Sequence, residues 1–176
     1  VDGYIHKGVG AFLLPAVTIV LVGLFRLFPR IDPLGDNIKS FRGYYDFFIL
    51  VFALFMLLIQ AQIMLWNLGV RIPVNIIIPI GVGALFACIG FVLEKSRRNW
   101  FVGIRTPWTL SSPRVWDETH RLAGPVFKGV GVVSILGAFF GEYAVYFIIV
   151  PAVGCALGLM IYSYLVYRRL KRIGEI

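Results

Sequence analysis

Five blocks of apolar residues organise the chain. They run from about Gly8 to Leu27, Phe47 to Trp66, Pro73 to Leu93, Leu122 to Phe140 and Tyr143 to Tyr167. Each is close to the ~20 residues of helix that cross a hydrocarbon layer of ~30 Å. Short polar links separate them, except for one long polar segment from Glu94 to Pro125. The pattern predicts an all-α integral membrane protein, a bundle of five transmembrane helices with a structured cytoplasmic loop. The fourth block fits least well. It contains Pro125 and Lys128, and its purely apolar part is only Gly129 to Phe140. Either Lys128 snorkels to the interface and the helix is short, or the segment is re-entrant.

Charge favours a true crossing. Lys95, Arg97, Arg98, Arg105, Arg114 and Arg121 lie between spans three and four, and Arg168, Arg169, Lys171 and Arg172 lie in the tail. The link between spans four and five carries only Glu142. Both basic segments reach the cytoplasm only if both spans cross. Arg30, Lys39 and Arg42 then lie inside as well, while Arg71 and Lys7 lie outside. The expected topology is N-terminus out, C-terminus in, in the plasma membrane. Aromatic residues mark the interfaces: Tyr44, Tyr45, Trp66, Trp100, Tyr143, Tyr162 and Tyr167.

Composition agrees with the membrane class: 59% of the 176 residues are hydrophobic and 15% charged. The net charge of +8 follows from this topology, and no direct nucleic-acid binding is expected. Cys88 and Cys155 sit in apolar runs away from His6 and His120. They read as small packed hydrophobes, with no metal and no cofactor. No nucleophile is paired with a base, so the chain reads as non-enzymatic. Gln60 and Gln62 read as interhelical hydrogen-bond partners. Gly137 and Gly141 in span four, and Gly154 and Gly158 in span five, form two GxxxG pairs. They predict an antiparallel hairpin turned at Gly141–Glu142, with homo-oligomerisation as a further use of the same motif.

The long loop holds three of the four tryptophans. A mere connector would be shorter. Ser112 as N-cap and Pro113 in the first helical position predict a short surface helix in its second half. Trp116, Thr119, His120 and Ala123 share one face of it, and Asp117 and Arg121 form an i,i+4 ion pair on the other. Two arrangements remain open. His120 is either a packed histidine or a member of a polar site with Arg105, Asp117 and Arg121, in which the arginines hold an anion such as a carboxylate, phosphate or lipid head group. Arg105 precedes Thr106-Pro107, a non-helical bend. It either braces the loop against Asp117, Glu118 or free helix carbonyls, the favoured reading, or points at an external anion.

Asn99, Gly103-Ile104-Arg105-Thr106-Pro107-Trp108-Thr109-Leu110, Val115-Trp116, Thr119-His120-Arg121 and Gly124 together resemble the signature of the SdpI family of membrane proteins. The likeness covers the third span, the loop and the fourth span. Asp2-Gly3-Tyr4, Lys7, Pro15 and Ile31-Asp32-Pro33 are similar to the end of a companion domain of unknown function, the DUF1648 type. Residues 1–46 would be its remnant, with the first transmembrane helix and its cytoplasmic link. Residues 47–176 would be the SdpI-like membrane domain, with signature loop 94–125. The companion domain usually opens with another helix, so a sixth span is expected ahead of Val1.

The resemblance implies an immunity and signal-transduction role. A named family member protects its cell from a secreted peptide toxin and captures a transcriptional repressor at the membrane. The expected partners are therefore membrane lipid, a peptide toxin at the outer face and a soluble repressor at the cytoplasmic face. A second reading is a small-molecule or lipid-handling membrane protein, a transporter or interfacial enzyme, using an Arg/His site on the loop. A structural membrane subunit is the third.

Overall fold

A computed structural model describes residues 6–176; the Asp2-Gly3-Tyr4 motif and the side chain of Lys7 lie outside the described residues. The long helices are α1 (Lys7–Ile31), α3 (Arg42–Asn67), α4 (Val74–Lys95), α6 (Pro113–Leu136) and α7 (Tyr146–Arg172). Two five-residue helices, α2 (Gly35–Lys39) and α5 (Pro107–Ser111), lie in the links. Among the described residues, five helices are long and apolar enough to cross a membrane. Their outward faces carry Phe12, Ile19, Leu54, Val132 and Val150, all more than half exposed. Such faces suit lipid rather than water.

The chain packs in sequence order: α1 on α3, α3 on α4, α4 on α6 and α6 on α7, with α4–α6 the most extensive seam. Small residues make that seam close. A Cβ at Gly83 would lie 2.6 Å from the carbonyl oxygen of Gly131, and one at Gly90 the same distance from that of Gly124. This corrects the expected use of the GxxxG pairs. Spans four and five do form a hairpin, but Gly154 and Gly158 meet nothing within 4 Å. Gly137 packs against Phe147, and Gly141 serves the turn with a φ of +54°. Counting small residues finds close approach but not the partner, because in α4 they are spread through a continuous apolar run.

The expected surface helix and the fourth span are one helix. Nothing between Thr119 and Gly124 stops it, and Pro125 removes only one ladder bond, to the Arg121 carbonyl. A single buried stripe runs through Trp116, Thr119, Ala123, Val130 and Ser134. Gly124 sits level with Glu94 near the end of α4. The first eleven residues of α6 therefore project about 16 Å beyond that level at 1.5 Å per residue. Lys128 does not snorkel freely. Its ammonium pairs with Glu94 at 2.7 Å and lies 4.1 Å from the centre of the Phe91 ring.

Candidate functional site

The loop from Ser96 to Ser112 wraps the projecting turns of α6. Asn99 starts the wrap. It is fully buried, and all its polar positions are used. Its Oδ1 accepts from the Phe101 and Val102 amides at 2.9 and 2.6 Å. Its Nδ2 donates to the Arg97 and Val102 carbonyls at 2.8 and 2.9 Å. One side chain thus serves four backbone groups, on Arg97, Phe101 and Val102, that lack a regular ladder.

Gly103 follows with φ +127°, a conformation that L side chains rarely adopt. Its backbone presses on a stacked pair, Trp116 and His120, whose ring centroids are 4.0 Å apart. Both rings are buried. His120 Nδ1 lies 2.8 Å from the Trp116 carbonyl oxygen, and Nε2 accepts from the Ile104 amide at 2.9 Å. Those partners assign the neutral tautomer protonated on Nδ1. The Trp116 indole donates to the Ser96 carbonyl at 3.1 Å, closing the wrap onto the end of α4.

The Thr-Pro-Trp-Thr segment then builds α5. Thr106 is extended, as the residue before proline must be, and caps the helix. Thr106 and Thr109 cap each other reciprocally, and Thr109 also donates to the Ile104 carbonyl at 2.8 Å. Trp108 reaches α7, donating to the Ser163 hydroxyl at 2.5 Å. Ser112 caps α6 as expected, accepting from the Val115 amide at 3.4 Å.

Not every sequence-selected residue joins this assembly. Asp117 and Arg121 are exposed, and among the described residues no ion pair joins them. Glu118 instead pairs with Arg169 of α7 and with Arg114. His120 spends both nitrogens internally, so it is not shared with Arg105 or Arg121 around an anion. Arg105 is exposed, and its Nη1 donates to the Trp100 carbonyl at 2.5 Å. That internal target is a loop carbonyl, neither Asp117 nor Glu118. Of the tryptophans, Trp116 is buried, Trp108 partly so and Trp100 half exposed.

The sequence reading missed how the α1–α3 link holds the loop. Asp32 is buried, its Oδ1 accepting from the Leu34 amide at 2.7 Å and its Oδ2 from the Trp100 amide at 2.9 Å. Asn37 donates to the Arg98 carbonyl at 2.7 Å. Phe28 stacks on Phe101 with centroids 4.7 Å apart. Asp32-Pro33-Leu34 had one legible signal: an aspartate two residues before a free amide favours an Asx turn. The second oxygen, aimed across 68 residues at Trp100, had none.

Comparison with known proteins agrees with the signature. Residues 95–163 match the model of the SdpI/YfhL protein family, a stretch covering the loop, α6 and most of α7. The chain is 26% identical over 168 residues to a Bacillus subtilis (strain 168) protein named "Immunity protein SdpI", covering 95% of this chain and 79% of that one. No solved structure matches significantly. The loop that Asn99, Gly103, Trp116 and His120 build thus lies within the stretch that is similar to the SdpI/YfhL protein family.

Proposed function

We propose that this chain is a non-enzymatic membrane immunity protein of the plasma membrane. It meets a secreted peptide toxin with the outer ends of its spans and offers its loop end to a soluble repressor. The observation that carries this reading is the alignment with Immunity protein SdpI along 95% of the chain. The architecture supports it: the loop is hydrogen-bonded to α2 through Asn37 and to α7 through Ser163, a surface on which a partner can dock without first ordering it.

The loop end faces the cytoplasm in this proposal, because most Lys and Arg lie there and the α6–α7 turn has none. With Cys88 and Cys155 replaced by alanine, a cysteine at Glu142 should react with an impermeant maleimide from outside intact cells. Reaction only after the cytoplasm is opened would invert the topology.

The functional test is protection. A Bacillus subtilis strain lacking its own Immunity protein SdpI is made to express this chain and is grown with the toxin-producing parent. Survival should rise at least tenfold over a strain expressing Trp116→Ala. Equal killing, with the chain present in the membrane fraction, would overturn the immunity reading.

A further inference from the structure

A cavity of about 270 Å³ lies beneath the loop. Phe25 and Phe28 of α1, Phe48 of α3, Ile89 of α4 and Phe127 of α6 line it, and residues 101–104 form its roof. The roof is fixed from behind by Asn99 and His120, so the space is built rather than slack. Among the described residues, α1 packs on α2 and α3 and makes no extensive seam with α6. Packing between those two helices therefore does not seal the cavity from the apolar surroundings of the bundle.

Its mainly apolar lining disfavours water as the filling. A buried water needs two to four polar partners. Here the roof amides of Phe101, Val102 and Ile104 are already bonded to Asn99 and His120. The Tyr45 hydroxyl, also at the wall, is bonded to the Phe25 carbonyl. What remains is mostly aromatic and aliphatic surface, which loses dispersion contacts if left empty. The volume is just below the ~300–1,000 Å³ range of small-molecule pockets. It suits one narrow chain better than a bulky ring system.

Charge selects the other end of the ligand. Arg26 directly follows the lining Phe25, Arg30 lies two residues after Phe28, and Arg105 directly follows Ile104. All three are exposed, and none is in an ion pair among the described residues. We propose that this cavity binds one acyl chain of an anionic membrane lipid, whose phosphate is held by arginines beside the opening.

The test uses the whole chain in nanodiscs of phosphatidylcholine and phosphatidylglycerol at about three to one. A trace of phosphatidylglycerol with a diazirine on one chain is photolysed, and adducts are mapped by mass spectrometry. Adducts should concentrate at least fivefold on Phe25, Phe48, Ile89 and Phe127 over the outward Leu50, Ile149 and Val153. Excess unlabelled phosphatidylglycerol should remove that excess, and phosphatidylcholine should not. Competition by free palmitate alone would replace the lipid with a fatty acid and overturn the proposal in its stated form. Ile89→Trp, which fills the cavity, should abolish the excess at the remaining wall residues. Uniform labelling of the wild-type chain refutes the proposal whether or not that variant folds.

Discussion

The Tyr45 hydroxyl donates at 2.7 Å to the carbonyl of Phe25, the carbonyl that Pro29 leaves without a partner. A helix amide bonds the carbonyl four residues back, and proline has no amide hydrogen to give. The same relation recurs at Pro15, which frees the Ala11 carbonyl for Gln60 of α3 to donate to at 3.1 Å. Pro151 frees the Phe147 carbonyl, and the Ser134 hydroxyl lies 3.4 Å from it, but its hydrogen goes to the Val130 carbonyl at 2.8 Å. In lipid no water can serve these groups, so a neighbouring helix must. Pro29 and Pro15 thus fix where Tyr45 and Gln60 of α3 have to stand.

The relation predicts a thermodynamic cycle. Tyr45→Phe should lower stability by about 1 kcal/mol, the net worth of one hydrogen bond with its acceptor left unpaired. In a Pro29→Ala background the new amide at 29 can bond Phe25 itself, so the same Tyr45→Phe change should cost less than half as much. Thermal unfolding in detergent of the four proteins measures the coupling. Equal costs in both backgrounds would mean that the hydroxyl does not serve the proline.

Gly103→Ala should be among the most damaging single-methyl changes in the chain. The backbone there has φ +127°, and a Cβ would lie 2.6 Å from His120 Nε2 and 2.8 Å from the Trp116 ring. Strained backbone and overpacking together predict a loss of about 2–4 kcal/mol. Gly23→Ala, with nothing within 4 Å, is the matched control and should not destabilise. Similar melting temperatures for the two variants would contradict the packing of the loop on α6.

The α4–α6 seam predicts opposite responses from glycines that look alike in sequence. Gly83→Ala sets a methyl against the Gly131 carbonyl and should push the helices apart, at a cost of about 1–3 kcal/mol. Gly158→Ala meets open space and should leave stability unchanged or raise it by up to about 1 kcal/mol. Melting curves decide, and a loss at Gly158 as large as that at Gly83 would restore the GxxxG reading of α7.

The five spans were legible because length and hydropathy act locally, and a membrane allows little besides helix. The cap at Ser112 was legible for the same reason: a cap needs only its next three residues. The cap at Thr106 was not, because Thr106-Pro107 read as a non-helical bend and not as the start of α5. Partners were not. Tyr44 and Tyr45 read alike as interface aromatics, yet Tyr44 is exposed and Tyr45 buried, because only Tyr45 faces the carbonyl freed by Pro29. Asp117–Arg121 has ideal spacing, but α7 brings Arg169 to Glu118 and leaves Asp117 and Arg121 exposed. The face of Trp116 and His120 was read correctly as one stripe. Its fate as a stacked pair under Gly103 depended on a loop returning over it, which no periodicity encodes.

Asp32→Asn tests whether the α1–α3 link holds the loop. Asparagine keeps one acceptor, so either the Leu34 or the Trp100 amide must lose its bond or face an amide hydrogen. The expected cost is about 1–3 kcal/mol. Hydrogen exchange localises it: amides 99–104 should exchange faster, while those of α7 keep their rates. Unchanged exchange in the loop would confine Asp32 to its own Asx turn.

Arg105 separates architecture from recognition. Its one internal bond, from Nη1 to the Trp100 carbonyl at 2.5 Å, is made at the surface. A lysine can donate to the same carbonyl, since no bidentate fork is engaged there. Arg105→Lys should therefore lower stability by less than about 1 kcal/mol, well below the cost of Gly103→Ala. A larger loss would make Arg105 the brace that its place in the bend first suggested. Phosphatidylglycerol cross-linking should largely survive, because the charge is kept. Arg105→Gln removes the charge as well, and should weaken cross-linking severalfold at unchanged melting temperature. Protection against the toxin gives the third reading. If it disappears in Arg105→Lys while stability and lipid labelling persist, the planar guanidinium is read by a docking partner.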